Sequence, residues 1–439
     1  MKQFNNIHPE LTCERAYNIL STPLDKIVSQ SDFYMAAAHL INCHGAKTEY
    51  ALLNLLEKSS NNQAVKIAKR KAVEVLARLG YISAISAIGK CLWSEDIYLV
   101  ENSVWALQQL QCNDSKLIDR MLYLLKDENQ NQRVLIQCLA GLRVQSSLKL
   151  IQTFQCSKTP NIRSAAISAV AQLTNNISDV PKIIQYLTFP NQMDRQCAVQ
   201  DLIDANASEF LPAIVAAPIS PSFRMRACRQ FFNKLGVESI NNTILSSIDS
   251  ILKDDPNTIN IIHTYKDKPS VRFLINNLYN TDFSRCYLAL INLNRYPTNV
   301  LWPLLKESWE QKANNDYGAH YFFMHVLGSC CNWPLTGQEF ILQILQESVV
   351  NRRPQFRKSR SAAIQSLQYL YPKQFLDFIF DFLSKAINLP WDCRYVIIMC
   401  IEKFSYIDYH TKKQVLKLLL KDPDTFVRAR AAKSFSELL

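Results

Sequence analysis

Apolar residues return every three or four positions along this chain in stretches of helical length, and polar clusters separate the stretches. Ser31 and Asp32 offer an N-cap to a helix over 33–43, and a second helix over 48–58 is apolar at Tyr50, Leu52, Leu53, Leu55 and Leu56. Further pairs are predicted at 64–79 with 82–92, 97–110 with 115–125, 133–142 with 146–154, and 162–173 with 181–187. The joining segments, such as 126–131 and 157–161, are short and polar. No strand-like alternation persists, so the pattern predicts an all-α fold.

The pairs also repeat. An arginine followed by small residues and a Leu-ended helix recurs at Arg70, Arg133, Arg163, Arg195 and Arg226, and again at Arg285 and Arg428. The step of about 31 residues, or a near-multiple, is the size of one helix-turn-helix unit, which predicts an α-solenoid. Residues 1–30, punctuated by Pro9 and Pro23, read as an N-terminal capping segment, and 31–239 as the regular repeats. From 240 to 439 the repeats degrade, and Trp302, Trp309, Trp333 and Trp391 fall in this aromatic half.

Composition narrows the chemistry. Eight glycines are too few, and wrongly spaced, for a phosphate-cradling loop or a dinucleotide fingerprint, so no permanent cofactor is expected. The 13 cysteines sit mostly at small-residue positions of helical stretches, without CxxC pairs or His/Cys clusters at ligand spacing. They read as reduced core thiols, with no metal site. The N-terminal segment lacks the apolar run of a signal peptide and no run is long enough to span a bilayer, which predicts a cytoplasmic protein without membrane partners. A net charge of +11 fits solvated basic faces or an anionic or acidic partner. Nucleic acid is not expected, because basic runs interleaved with aromatics are missing. The basic turn 351–360 reads either as a solvated loop or as a docking patch, and His320 with His325 as members of a packed helix.

One repeat departs from its siblings. Between Cys91 and Leu110, Val100-Glu101 stands in place of the recurring arginine, and Glu95, Asp96 and Glu101 share the unit with Trp93, Tyr98 and Trp105. On a helix Tyr98, Glu101 or Asn102, and Trp105 lie on one face. Glu95 and Asp96 could simply favour a helix N-terminus, with Trp105 in the core. The alternative is an acid-lined, aromatic-walled groove for a long conjugated ligand with cationic nitrogens.

The run Tyr98-Leu-Val-Glu-Asn-Ser-Val-Trp-Ala-Leu resembles the signature repeat of the E/F-type phycobilin lyases, HEAT-like proteins that attach linear tetrapyrroles to phycobiliproteins. Tyr34-Met-Ala-Ala-Ala-His-Leu40 is similar to that family's Tyr-Tyr-Ala-Ala-Trp-Trp-Leu motif, matching at Tyr34, Ala36, Ala37 and Leu40. The length resembles the single-chain branch that acts on phycoerythrin α subunits.

The resemblance implies a lyase that binds phycoerythrobilin as substrate and presents it to a cysteine of the apo-phycoerythrin α subunit, alone or with a second lyase subunit. It implies catalytic roles for Glu101 and Asp96 beside the pyrrole nitrogens. The bilin would be contacted by Tyr34, His39, Trp93, Tyr98, Asn102 and Trp105, with Arg133, Arg163 and Arg195 on its propionates. Asn42-Cys43-His44-Gly45 is similar to the motif of isomerising relatives; there Cys43 and His44 would yield phycourobilin, whereas a plain helix-ending turn with Gly45 at the cap leaves simple attachment. A non-catalytic HEAT scaffold is the remaining alternative.

Overall fold

The computed structural model describes residues 11–23, 26, 29–384 and 388–438, and among these every regular element is helical. Of the expected capping segment, residues 1–10, which include Pro9, and 24, 25, 27 and 28 lie outside the described residues; α1 (Cys13–Ser21) lies within it.

Two compact units divide between Ile183 and Ile184. In the first, α2 (Asp32–His39), α4 (Gln63–Leu79), α6 (Ile97–Gln109), α8 (Gln132–Gly141) and α10 (Pro160–Thr174) pack side by side in chain order. A second layer is formed by α3 (Ala46–Glu57), α5 (Ile85–Lys90), α7 (Ser115–Leu124) and α9 (Leu148–Thr153). The HEAT-like pairing predicted from periodicity is therefore present. Its second helices are shorter than expected: 82–92 resolves into α5 between 3-10 turns, and 181–187 into a 3-10 run over Val180–Thr188. Small residues such as Ala36, Ala68, Ala72, Ala106 and Ala140 are buried in the first layer and let its helices approach closely.

The second unit contains α11 (Gln192–Asp204), α12 (Leu211–Val215), α13 (Pro221–Phe232), α14 (Asn242–Lys253) and α15 (Val271–Asn277). It continues through α16 (Phe283–Leu293), α17 (Thr298–Ser308), α18 (Tyr317–Ser329), α19 (Leu335–Val350) and α20 (Arg357–Leu370). The last helices are α21 (Pro372–Leu383), α22 (Trp391–Lys403), α23 (Tyr409–Leu419) and α24 (Thr425–Leu438). α16, α18, α20, α22 and α24 form a row, and α14 lies against α20 and α22. Gln365 of α20 donates to the Leu252 carbonyl at 2.8 Å, and Tyr395 of α22 to Asp249 of α14 at 2.9 Å. Arg430 of α24 forks onto the same Asp249. Where α18 meets α20, a Cβ on Gly328 would fall 2.0 Å from Ser366 Oγ, so only glycine permits that approach.

The change of pattern near 240 is thus not where the units part. Residues after 184 join the second unit because their ionic partners lie far ahead in sequence: Arg195 pairs with Asp282, Arg224 with Asp254 and Arg229 with Asp424. Trp302, Trp309 and Trp333 are core residues of that unit. His320 and His325 are packed within α18 against Phe356 and Tyr321, and burial pushes His320 down to about 4.

Candidate functional site

Three of the recurring arginines, Arg70, Arg133 and Arg195, turn out to be staples between helices. Arg70 of α4 donates through Nε and an amino nitrogen to both oxygens of Asp96, each at 2.9 Å. Asp96 is the N-cap of α6, accepting from the Tyr98 and Leu99 amides at 3.1 and 3.3 Å. Its side chain is only 8% exposed, so it holds two repeats together and is not available to a pyrrole; the catalytic role expected for Asp96 is corrected to a structural one. Arg133 reaches from α8 to the Asn161 carbonyl at 2.5 Å, beside the start of α10. Arg195 is wholly buried, paired with Asp282 and donating to the Phe189 and Pro190 carbonyls, so it too is corrected: no ligand in solvent can reach it. Arg163 is half-buried on α10.

Cys43 is also corrected. The fold bonds it to Cys13 as a disulfide, against the expectation that the cysteines are reduced thiols; the other 11 form no disulfide. A half-cystine offers no thiolate to a double bond. The disulfide draws in the His39 imidazole, so that Cys13, His39 and Cys43 lie within 4.8 Å of one another, a cluster invisible in the sequence because Cys13 is 30 residues from Cys43. His44 is exposed, and Gly45, at φ +117, is the N-cap of α3 in a conformation suited to glycine.

What remains of the expected site is a surface along the first layer. Tyr34 stands on α2, and Tyr98, Glu101, Asn102 and Trp105 on α6, away from that helix's buried Leu99, Val100, Ser103, Val104 and Leu107. Cations from α4 cover three of the rings: Lys71 lies 5.4 Å from the Tyr34 centre, Arg70 4.7 Å from Tyr98 and Arg78 5.8 Å from Trp105. Glu101 is half-buried between them, with no hydrogen bond or ion pair to another described residue. Trp93 stands apart, on the turn after α5 and 5.2 Å beneath Arg120 of α7 in the other layer.

The second unit holds a cavity of about 580 Å³ that the sequence did not reveal. Its wall is built from α13 and from the N-terminal ends of α18, α20 and α22. Arg226, Arg229, Arg357 and Lys358 line it, facing a single carboxylate, Asp392, and the rings of Tyr317, Tyr321 and Trp391. Arg229 lies flat on Trp391, 3.7 Å from the ring centre, and bonds Asp424 at 2.7 Å; Arg357 reaches Asp392 at 3.4 Å. Lys358 sits among Phe283, Tyr321 and Tyr317 at 4.8, 4.9 and 5.7 Å, with no carboxylate bonded to it, and burial lowers its amine to about 8. Behind Tyr321, Asp254 accepts from Arg224, Tyr287 and Tyr321, all buried. Burial alone would raise that carboxyl; the Arg224 guanidinium outweighs it and holds it below the ordinary range.

The chain is similar across almost its whole length to a bilin biosynthesis protein, CpeY of Synechococcus sp. (strain WH8020). It is 49% identical to it over 405 residues, covering 92% of this chain and 97% of that protein. The chain belongs to the E/F-type phycobilin lyase family. A second relative, an uncharacterized phycocyanin operon protein Y from Pseudanabaena tenuis, is 32% identical over 96% of the chain and 97% of that protein. PecE of Mastigocladus laminosus, also a bilin biosynthesis protein, is 26% identical over 38% of this chain and 62% of its own. No family model matches the chain. Among solved structures, the complex of CpcE and CpcF of phycocyanin lyase from Nostoc superposes with a TM-score of 0.48 at 21% identity, covering 57% of this chain and 98% of that one. No described helix is long and apolar enough to cross a membrane.

The run 98–107 that carries the resemblance lies within α6. Arg226, Lys358 and Trp391 escaped the sequence, although two signals were present: the basic run 351–360, which delivers Arg357 and Lys358, and the aromatic density of the later half.

Proposed function

We propose that this phycobilin lyase attaches phycoerythrobilin through a thioether to a cysteine of the phycoerythrin α subunit. Its similarity to CpeY over 97% of that protein's length carries the proposal. In the reaction the acceptor thiolate adds to the ethylidene carbon of ring A and a C–S bond forms. The displaced electron pair of the exocyclic double bond enters the conjugated system, which takes up a proton, so no oxidant or reductant is required. Glu101 is the acid best placed in the first unit to meet the pyrrole nitrogens, because among the described residues it has no partner and it shares α6 with Tyr98, Asn102 and Trp105. Its partners in the work are the pigment and the apo-subunit, and the protein acts in the cytoplasm. The alternative that yields phycourobilin loses support, since its nucleophile Cys43 is held in a disulfide.

Co-production of the chain with phycoerythrobilin and the apo-α subunit tests the reading. The subunit should become covalently coloured and stay so in denaturant. Glu101→Gln should slow attachment about 100-fold or more, as removal of a positioned acid does. An α subunit that stays colourless with wild-type protein, with or without a second lyase subunit, would discard the function; full attachment by Glu101→Gln would discard only that residue.

A further inference from the structure

Resting on the proposed lyase activity but not on the place given to Glu101, we propose that the cavity of the second unit is a bilin site of its own, with Lys358 and Arg226 as the cations that receive the two propionates of the tetrapyrrole.

Three independent features of the cavity favour an anionic, flat ligand. The first is charge: four cations face one carboxylate, and neither Arg226 nor Lys358 has an ion-pair partner among the described residues. Lys358 is partly buried, and such a cation without a counter-ion is costly to keep; a ligand carboxylate arriving there relieves that cost, while Arg226 stands exposed at the rim and free to follow the ligand. The second is backbone. α20 and α22 open onto the cavity, and neither has a side chain capping its N-terminus, so their first-turn amides and positive dipole ends add to the field. The third is shape and surface. The volume falls within the roughly 300–1,000 Å³ of small-molecule sites, and the Tyr317, Tyr321 and Trp391 rings give a conjugated ligand something to lie against. An acidic peptide would match the charge but not a concave pocket with ring walls.

The neighbouring cations have other duties. Arg229 is held by Asp424 and stacked on Trp391, and Arg357 reaches Asp392. They shape the cavity and leave Lys358 and Arg226 to bind.

The test compares phycoerythrobilin with its dimethyl ester, by absorbance titration of the purified full chain. Wild-type protein should prefer the diacid by about tenfold or more, the usual gain from charge-assisted hydrogen bonds. Lys358→Met with Arg226→Gln should abolish that preference while ester affinity stays within about twofold. Lys358→Arg, which keeps the charge, should retain it. Arg226 is exposed, so Arg226→Gln alone folds and still reports a partial loss. A double variant with an undiminished diacid preference would overturn the proposal. So would one that keeps the preference but loses binding of the apo-α subunit, since the cavity would then hold an acidic segment of the acceptor. Attachment by wild-type protein, measured alongside, distinguishes failure of this inference from failure of the proposed function.

Discussion

The two units use the same repeat chemistry in opposite ways. In the first, the recurring arginine reaches a helix start at the protein surface: Arg70 to Asp96, with 23% of the arginine side chain still exposed, and Arg133 to the Asn161 carbonyl. In the second, several arginine pairs are sealed more deeply. Arg224 and Asp254 are both fully buried, Arg394 grips an almost buried Asp422, and Arg430 is shared by Asp249 and Glu402. A surface staple tolerates loss because water replaces the partner. A buried pair does not, because the surviving charge has nothing to turn to. The regular unit therefore keeps its charges and rings outward for contact, and the irregular one uses them to specify how distant segments meet.

The most forceful way to break that comparison is Asp254→Ala, which strands Arg224, Tyr287 and Tyr321 together. It should lower unfolding free energy by about 3–5 kcal/mol in a urea titration; a loss below about 1 kcal/mol would mean the network is dispensable. Asp96→Ala, which removes an N-cap and frees a partly exposed arginine, should cost only about 1–2 kcal/mol by the same measurement. If the two losses were equal, burial would not be what separates the units.

A gentler probe is alkaline pH. Burial pushes the thiols of Cys228, Cys286 and Cys400 up to about 12, all in the second unit. Between about 9 and 12 the folded state then holds protons that the unfolded chain has released, so these thiols stabilise the fold fully below pH 9 and progressively less above it. Lys358 works in the reverse direction: with its amine near 8, the unfolded chain binds more protons from about 8 to 10.5, and stability gains there. Asp254, Cys286 and Asp316 face that amine and hold it up against burial. Raised thiols outnumber the lowered amines of Lys58, Lys69 and Lys358, so the urea midpoint should decline between pH 9 and 11, and Lys358→Met should steepen the decline. A midpoint that rises over this range would refute the thiol assignment.

How legible this was in the sequence differs by level. Helix periodicity gave the layers of the first unit directly, because each apolar stripe needs only its neighbours at 30 residues to be buried. The arginine recurrence was visible but its meaning was not. At Arg226 the repeat pattern points to the wrong residue, since Arg224, two positions earlier, is the one that turns inward to Asp254. Asp96 was legible as a helix N-terminal acid, but not as the mate of Arg70, because that partner lies 26 residues away. The cavity was hidden for the same reason on a larger scale: α13, α18, α20 and α22 bring residues 220 to 392 together, and no local pattern encodes that meeting.

Gly328 carries a consequence for the same cavity. α18 and α20 touch at Gly328 and Ser366, where Ser366 also donates to the Met324 carbonyl at 2.9 Å, and their opposite ends carry Tyr317 and Lys358. The two helices pack along their length, so a single methyl at their crossing is a shim that pushes them apart beside the cavity without changing any residue that lines it.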